Sequence, residues 1–317
     1  MQIAILSARS GWHTDELCRA LAARGHAGQV VSYERLVAHV GTRRGRRAAD
    51  TTESRSPAGF LHSDGLSLLE ADAVLARIIP AGSLEQTIFR VDALHWLEER
   101  GLVVMNSPRA IERSVDKFYT DALLAEAGLP TPETVVCESV DEAMDAVRAM
   151  GEVIIKPLFG SMGHGLVRVS DPDTALRVIR ALVQVRAMFY VQRAIAHHGR
   201  DIRALVVGGH VVGAIERIAP ANDWRSNVSR GGTPRACELP PAWAEMAVRA
   251  AAAVGADYAG VDLLPDDTGA VFVLEVNGIP GWQGLQSATG IQVAGAVIDH
   301  LIARTSGQRL TSSEVRQ

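Results

Sequence analysis

Through the first hundred residues, strand-like and helix-like segments alternate, and this alternation restricts the fold more than any other feature of the chain. A strand, a helix and a second strand in one sheet need a crossover connection, so the start reads as a mainly parallel α/β layer. The apolar run Ile3-Ala4-Ile5-Leu6 supplies the first strand. Thr14 is placed to N-cap a helix that begins Asp15-Glu16, carries Leu17 and Leu21 on one face and ends at Gly25. Residues 30–33 and 73–79 supply two more strands, and a helix over 84–100 leads through Gly101 to a strand at 102–105. Between them, residues 41–63 hold Arg43, Arg44, Arg46 and Arg47 and then a Thr/Ser/Asp-rich run. That segment reads as a solvated loop, with a nucleic-acid patch as the alternative.

Beyond residue 106 the pattern changes. A helix over 115–127 ends at Gly128, and Leu129-Pro130-Thr131-Pro132 forces an extended connector. Strands at 134–137, 153–156 and 166–169 interleave with helices at 141–150 and 172–187, and a further strand ends at Gln192. Residues 202–207 and 210–217 form a hairpin turning through Gly208-Gly209. A helix over 241–254 precedes apolar strands at 259–264 and 271–276, a terminal helix, and a frayed tail over 306–317. A chain of 317 residues buries a full core, and a net charge of −4 implies neither bulk nucleic-acid binding nor an anionic membrane partner. No apolar stretch reaches spanning length and Met1-Gln2-Ile3 carries no basic leader, so a cytoplasmic protein is expected. Cys18, Cys137 and Cys237 lie far apart, which argues against structural zinc or a disulfide framework.

Of the 32 Lys and Arg residues, only Lys117 and Lys156 are lysine. In a chain that writes arginine wherever a surface cation suffices, they mark places where a compact ammonium is not interchangeable with a wide guanidinium. Lys156 ends the run Val153-Ile154-Ile155 and precedes Gly160-Ser161-Met162-Gly163-His164-Gly165. This loop is neither a Walker A nor a dinucleotide fingerprint, because its spacing is GxxGxG and a strand follows. A glycine loop between strands makes a flap whose backbone N–H groups can close over phosphates.

Nearer the C-terminus, Asp262 interrupts one apolar strand, while Glu275 and Asn277, two apart on the next, share a face. A carboxylate in an apolar strand is costly unless paired or bound to a metal. Two carboxylates and an amide oxygen are hard donors suited to Mg²⁺, which fills its other positions with water and phosphate. Neutralisation by arginine is the alternative for either carboxylate alone. Asp201 and Arg203 share a strand face, and Arg217, Arg225 and Arg230 follow through the hairpin and its loop. Such arginines suit bidentate recognition of carboxylate or phosphate, and a solvated loop is the alternative.

Asp116-Lys117, the run from Ile155-Lys156-Pro157 to Gly165, Asp201-Ile202-Arg203, Arg225-Ser226-Asn227, Arg230-Gly231-Gly232, Gly260-Val261-Asp262 and Glu275-Val276-Asn277 together resemble the RimK-type branch of the ATP-grasp ligases. The resemblance implies an ATP-grasp fold, two α+β subdomains clasping ATP, preceded by an N-terminal parallel α/β domain. The corresponding division is 1–106 for the N-terminal domain, 107–190 for the central subdomain with the flap, and 191–305 for the C-terminal subdomain with the metal site. It implies a carboxylate–amine ligase, in which the γ-phosphate of ATP passes to a carboxylate and an amine attacks the acylphosphate.

Carried over by motif, Lys117 and Lys156 hold phosphates under the flap with Ser161, Gly163 and Gly165. Gln192, Arg193, Ala194 and Ile195 form the hinge that reads adenine, and Asp201, Arg225, Ser226 and Asn227 complete the nucleotide side. Asp262, Glu275 and Asn277 carry Mg²⁺, or Mn²⁺, as two ions, while Arg203, Arg217 and Arg230 face the anionic substrate or the acylphosphate. Two departures bear on these roles. The hinge has Arg193-Ala194 where the family has Glu-aromatic, so a glutamate contact is missing. Asn277-Gly278-Ile279-Pro280-Gly281-Trp282 keeps the metal ligand but alters the adjoining substrate wall.

Residues 10–17 and 278–282 are most similar to the branch acting on tetrahydromethanopterin-type C1 cofactors. The expected partners are therefore L-glutamate and a small-molecule carboxylate acceptor, with a ribosomal or carrier-protein C-terminus as the alternative acceptor. Trp12 or Trp282 could stack on a flat heterocycle or simply cover core edge. Relatives suggest a homo-oligomer, dimer or tetramer, and no nucleic-acid or membrane partner is expected. A non-catalytic ATP-binding protein on the same fold fits the nucleotide motifs but not the intact Asp262, Glu275 and Asn277 set. A kinase on this fold is the remaining enzymatic alternative.

Overall fold

A computed structural model describes residues 1–41, 60–160, 165–221, 223, 225–226 and 231–314. The chain divides into two units, Met1–Pro108 with Ala294–Gln317, and Arg109–Val293. The first unit opens with β1 (Gln2–Ser7), α1 (Trp12–Ala22) and β2 (Ala27–Ser32). A small antiparallel sheet of β3 (Val37–His39), β4 (Phe60–Ser63) and β5 (Leu66–Ser67) follows, which the sequence does not announce. Then come β6 (Ala73–Ala76), α2 (Leu84–Glu99) and β7 (Val103–Met105). Strands β2-β1-β6-β7 pair in that order, all parallel, as the alternation of signals requires. The α1 cap differs from expectation. Gly11 is the N-cap, its N–H donating to Thr14 Oγ1 at 2.8 Å, so Thr14 closes the first turn from inside the helix.

In the second unit, the single helix expected over 115–127 is two helices, α3 (Pro108–Val115) and α4 (Lys117–Glu126). Asp116 takes extended backbone between them and its carboxylate accepts from Tyr119 N–H at 3.1 Å, starting a fresh helix with Lys117 as its first residue. There follow β8 (Thr134–Cys137), α5 (Val140–Met150), β9 (Val153–Lys156), β10 (Val167–Val169), α6 (Pro172–Gln184) and β11 (Phe189–Arg193). The strands make an antiparallel sheet in the order β10-β9-β11-β8. Val153, Ile155, Phe189 and Val191 pack with α5 and α6, which turns Ile154, Lys156, Tyr190 and Gln192 to the other face.

The remaining elements are β12 (Arg200–Val207), β13 (His210–Ile218), β14 (Thr233–Ala236), α7 (Pro241–Val254), β15 (Tyr258–Pro265), β16 (Val271–Asn277), α8 (Gln283–Thr289) and α9 (Val293–Glu314). The sheet order is β14-β13-β12-β15-β16, antiparallel throughout. The β12–β13 turn places Gly208 and Gly209 at φ +56° and +78°, the left-handed conformations a two-residue hairpin needs. Leu124 of α4 and Ala247, Ala251 and Val254 of α7 cover the face of this sheet that carries Ile202, Ala204, Val261 and Val273.

Four differences from the sequence reading follow. Helix α4 packs on the five-stranded sheet, although its position in the chain suggested the central subdomain. The central sheet runs to Arg193, past residue 190. Helix α9 continues to Glu314, where a frayed tail was expected from 306, and groups with the first unit from Ala294 onward. There Arg24 Nε and Nη2 donate to the Asp299 carboxylate at 2.5 and 2.8 Å. Among the described residues no helix is long and apolar enough to cross a membrane.

Candidate active site

Register alone builds one wall of the site. Asp201 lies opposite Arg217, Arg203 opposite Asp262, and Asp262 opposite Glu275 across β13, β12, β15 and β16. Their neighbours Ile202, Ala204, Val261 and Leu263 face the core, so the charged set shares the opposite face. A bulge adjusts β16: Asp262 pairs with Glu275 but Leu263 pairs with Val273, leaving Leu274 as the extra residue. Leu274 and Glu275 therefore both line the cleft, while Val273 and Val276 remain in the core.

The side chains on this wall form a continuous ladder. Arg217 Nε donates to Asp201 Oδ1 at 2.7 Å and its Nη2 to both Asp201 Oδ2, at 2.5 Å, and Asp262 Oδ2, at 2.9 Å. Arg203 grips Asp262 in bidentate fashion, with both contacts at 2.7 Å. With its amide oxygen turned toward Arg203, the orientation that satisfies both neighbours, Asn277 accepts from Arg203 Nη2 at 3.0 Å and donates to Glu275 Oε1 at 3.2 Å. Burial works against the Asp262 carboxylate, yet Arg203 and Arg217 together hold it below the usual carboxylate range. Burial likewise disfavours charge on Arg217, and Asp262 and Asp201 more than offset it. Asp201, expected on the nucleotide side, thus has both oxygens committed to Arg217, and Arg203 and Arg217 are anchored on carboxylates before any substrate arrives.

The other wall comes from the four-stranded sheet and α4. Lys156 Nζ donates to Gln192 Oε1 at 3.0 Å and lies 4.6 Å from the centroid of the Tyr190 ring. Burial lowers its pKa to about 8, against the opposing pull of Asp121 and Glu275. Lys117 Nζ donates to the carbonyls of Leu158 and Gly160 at 3.1 and 2.8 Å, tying the start of α4 to the base of the glycine loop. Its pKa is also lowered by burial. Lys117, Lys156, Asp201, Arg217, Asp262 and Glu275 all line a single cleft.

The hinge carries its departure visibly. Arg193 Nε donates to Glu133 Oε2 at 3.0 Å, Nη2 pairs with the same carboxylate, and Nη1 donates to Met150 O at 2.8 Å. Its guanidinium therefore fixes the end of β11 to the segment before β8 and to the end of α5. The stretch Gln192, Arg193, Ala194 and Ile195 lines the cleft. Arg225, chelated by Asp223, and buried Ser226 line it too. Gly165 takes φ +74°, where an L side chain is strained, and a Cβ there would press on Pro157 at 3.2 Å. On the same wall Arg203 bonds Asp262, and Asn277 bonds Arg203 and Glu275. Ser161, Gly163, Asn227 and Arg230 lie outside the described residues, as do Arg43, Arg44, Arg46 and Arg47.

Sequence reasoning passed over Asp121 and Tyr190, which connect to Lys156 through Gln192. The signals were there: Tyr190 and Gln192 alternate with core-facing Phe189 and Val191, and Asp121 falls one helical turn after Lys117. Among the described residues no three His, Cys, Asp or Glu side chains gather as a metal site. The donor set fits a cation that takes only two carboxylates and an amide from protein, as Mg²⁺ does beside phosphates. One lone pair of Asp262 Oδ1 remains beyond its single arginine bond.

A cleft lined by lysines on one wall and by carboxylates on the other, between two antiparallel sheets, has the charges to hold nucleotide phosphates together with a cation. The chain belongs to the RimK-like ATP-grasp family, whose domain matches residues 114–301. It is an ATP-dependent ligase of the amide-forming kind, and the family uses ATP with Mg²⁺. It is 38% identical over 278 residues to a tetrahydromethanopterin:alpha-L-glutamate ligase of Methanosarcina acetivorans, covering 79% of this chain and 86% of that one. It is 35% identical over 310 residues to a probable alpha-L-glutamate ligase of Aeromonas salmonicida, covering 96% and 98%. Among solved structures, the ATP-grasp ligase PsnB complexed with minimal precursor, Mg and ADP shares the fold, with a TM-score of 0.72 at 23% identity over 96% of this chain and 97% of that one.

Proposed function

We propose that this chain joins L-glutamate to a carboxylate of a small cofactor of the tetrahydromethanopterin class, by way of an acylphosphate. The observation that carries the reading is the meeting of Lys117 and Lys156 with Asp262 and Glu275 in one cleft. Phosphoryl transfer asks a protein for position and charge neutralisation more than for a nucleophile, and this cleft offers both. Glutamate is the substrate named for both relatives described above, and the pterin acceptor is named for the one at 38% identity.

In this reading Lys156 and Lys117 bind the nucleotide phosphates beneath the flap of Ser161, Gly163 and Gly165. The backbone of residues 192–195 holds the adenine, with Arg193 bracing the strand, and Arg225, Ser226 and Asn227 close the nucleotide side. Asp262, Glu275 and Asn277 would hold Mg²⁺, as two ions, which supply charge neutralisation for the transferring phosphoryl group. Arg217 and Arg203, held by Asp201 and Asp262, present fixed donors to the anion that develops, and Arg230 meets the acceptor carboxylate. The acceptor oxygen forms its bond to the γ-phosphorus as the bond to ADP breaks. The deprotonated amine of glutamate then attacks the acyl carbon, and inorganic phosphate leaves.

The test is Mg²⁺-dependent ADP release with L-glutamate and, in turn, a pterin cofactor, a deazaflavin cofactor and an acidic peptide, each followed by mass spectrometry. The expected result is one glutamyl unit gained by the pterin with stoichiometric ADP. Gain on the peptide alone would move the acceptor to a protein C-terminus. ADP release with a phosphorylated, stable product would make the enzyme a kinase, and ATP binding without turnover on any acceptor would favour a non-catalytic role.

A further inference from the structure

Lys156 is held by a buried chain of side chains that the ligase reading leaves without a task. Tyr190 faces Lys156 across the β9–β11 ladder and is fully buried. Its ring lies under the ammonium, 4.6 Å from Nζ to the centroid, and its hydroxyl donates to Asp121 Oδ2. Gln192 Nε2 donates to Tyr190 Oη at 3.1 Å and to Thr134 Oγ1 at 2.9 Å, leaving Gln192 Oε1 free to accept from Lys156. Asp121 stands on α4 one turn beyond Lys117; burial pushes its carboxyl up, and the Tyr190 hydroxyl and the fields of both lysines pull it back toward the charged form.

We infer that Asp121 and Tyr190 are positioning residues that hold the Lys156 ammonium where the nucleotide phosphate arrives, with Asp121 the shared internal counter-ion of the two lysines. The inference rests on the reading that Lys156 binds phosphate. Two ammonium groups in a partly dry cleft repel each other, and burial favours loss of a proton from each. A buried carboxylate reached through Tyr190 offsets that without occupying the lysine donors themselves. Tyr190 also has its orientation set twice, by Asp121 and by Gln192. Donation of its proton toward a carboxylate enriches the ring beneath the cation, which strengthens the cation–π contact. The phenol itself stays protonated, since burial and the Asp121 charge both oppose its ionisation.

The experiment measures MgADP affinity by titration calorimetry for the wild type, Tyr190→Phe, Asp121→Asn and Lys156→Met, and for each of the first two combined with Lys156→Met. Tyr190→Phe and Asp121→Asn should each weaken binding by about tenfold and raise KM for ATP while leaving KM for glutamate unchanged. In the Lys156→Met background Tyr190→Phe should weaken binding no further, and Asp121→Asn should keep only the smaller loss that acts through Lys117. Wild-type affinity in both single variants, or an equal loss with and without Lys156, would overturn the inference. Wild-type affinity in Lys156→Met would instead overturn the reading of Lys156, and this inference with it. Tyr190→Phe removes one oxygen and keeps the buried ring, so the test stands even where Asp121→Asn fails to fold.

Discussion

At the scale of single residues, burial decides how the two lysines behave. Lys156 has a pKa of about 8 in the fold, against 10.5 for the free side chain. Between those values the unfolded chain binds the extra proton, so this lysine makes the fold more stable as pH rises through that window. Phosphate binding runs the other way, because the free enzyme loses its ammonium above about pH 8. We expect kcat/KM for ATP to fall toward tenfold per pH unit above that value, measured in a pH series at saturating glutamate and acceptor. Lys156→Arg stays charged and should lose this alkaline limb, at a rate reduced by about 10²-fold because a planar guanidinium replaces a compact ammonium. An alkaline limb that persists in Lys156→Arg would assign it to another group. On the facing wall, Glu275→Gln preserves shape and removes one charge from the oxygen donor set. Turnover should drop by about 10³-fold with an unchanged thermal midpoint, and activity near wild type would remove Glu275 from the metal set.

Among elements, the five-stranded sheet does the most to place chemistry. Its strands alternate apolar residues toward α4 and α7 with Asp201, Arg203, Arg217, Asp262 and Glu275 toward the cleft. The bulge at Leu274 turns Glu275 to the side where Asp262 points. Because Arg217 is buried and neutralised by two carboxylates, Asp201→Ala leaves it with Asp262 alone. That change should destabilise the chain by about 3 kcal/mol, read by urea unfolding. A loss below about 1 kcal/mol would mean that Asp201 contributes no more than a surface partner. The alternation itself was legible in the sequence, since Glu275 and Asn277, and Asp201 and Arg203, are each two apart. The bulge was not, because nothing local marks Leu274 as the residue to be left unpaired.

At the scale of the whole molecule, every residue lining the cleft belongs to the unit Arg109–Val293. Saturating MgADP should therefore slow amide hydrogen exchange in β9, β11, β15 and β16 and leave β1, β2 and β6 unchanged. It should also raise stability by about 2.7 kcal/mol at a hundredfold excess over Kd. Protection spread evenly over both units would mean that nucleotide binding orders more than the cleft. The division into units was only partly legible. Pro130 and Pro132 do precede a new sheet, but α4 packs beyond the seam its position suggested, and α9 groups with the first unit from the far end of the chain. Such assignments depend on which apolar faces meet, and a one-dimensional pattern holds no record of that.

By itself the sequence determined the period of most strands and helices, the turn at Gly208-Gly209, the scarcity of lysine, and the motifs that mark an ATP-grasp ligase. These are local or near-local properties, set by backbone preference and by which residue type a given chemistry needs. Only the tertiary structure decided that Asp201 serves Arg217, that Arg203 grips Asp262, that Arg193 braces the hinge, and that Tyr190 and Asp121 stand behind Lys156. Each of these is a pairing of charged or polar groups that burial forces to find partners, and the partner in each case lies from 16 to 69 residues away in the chain.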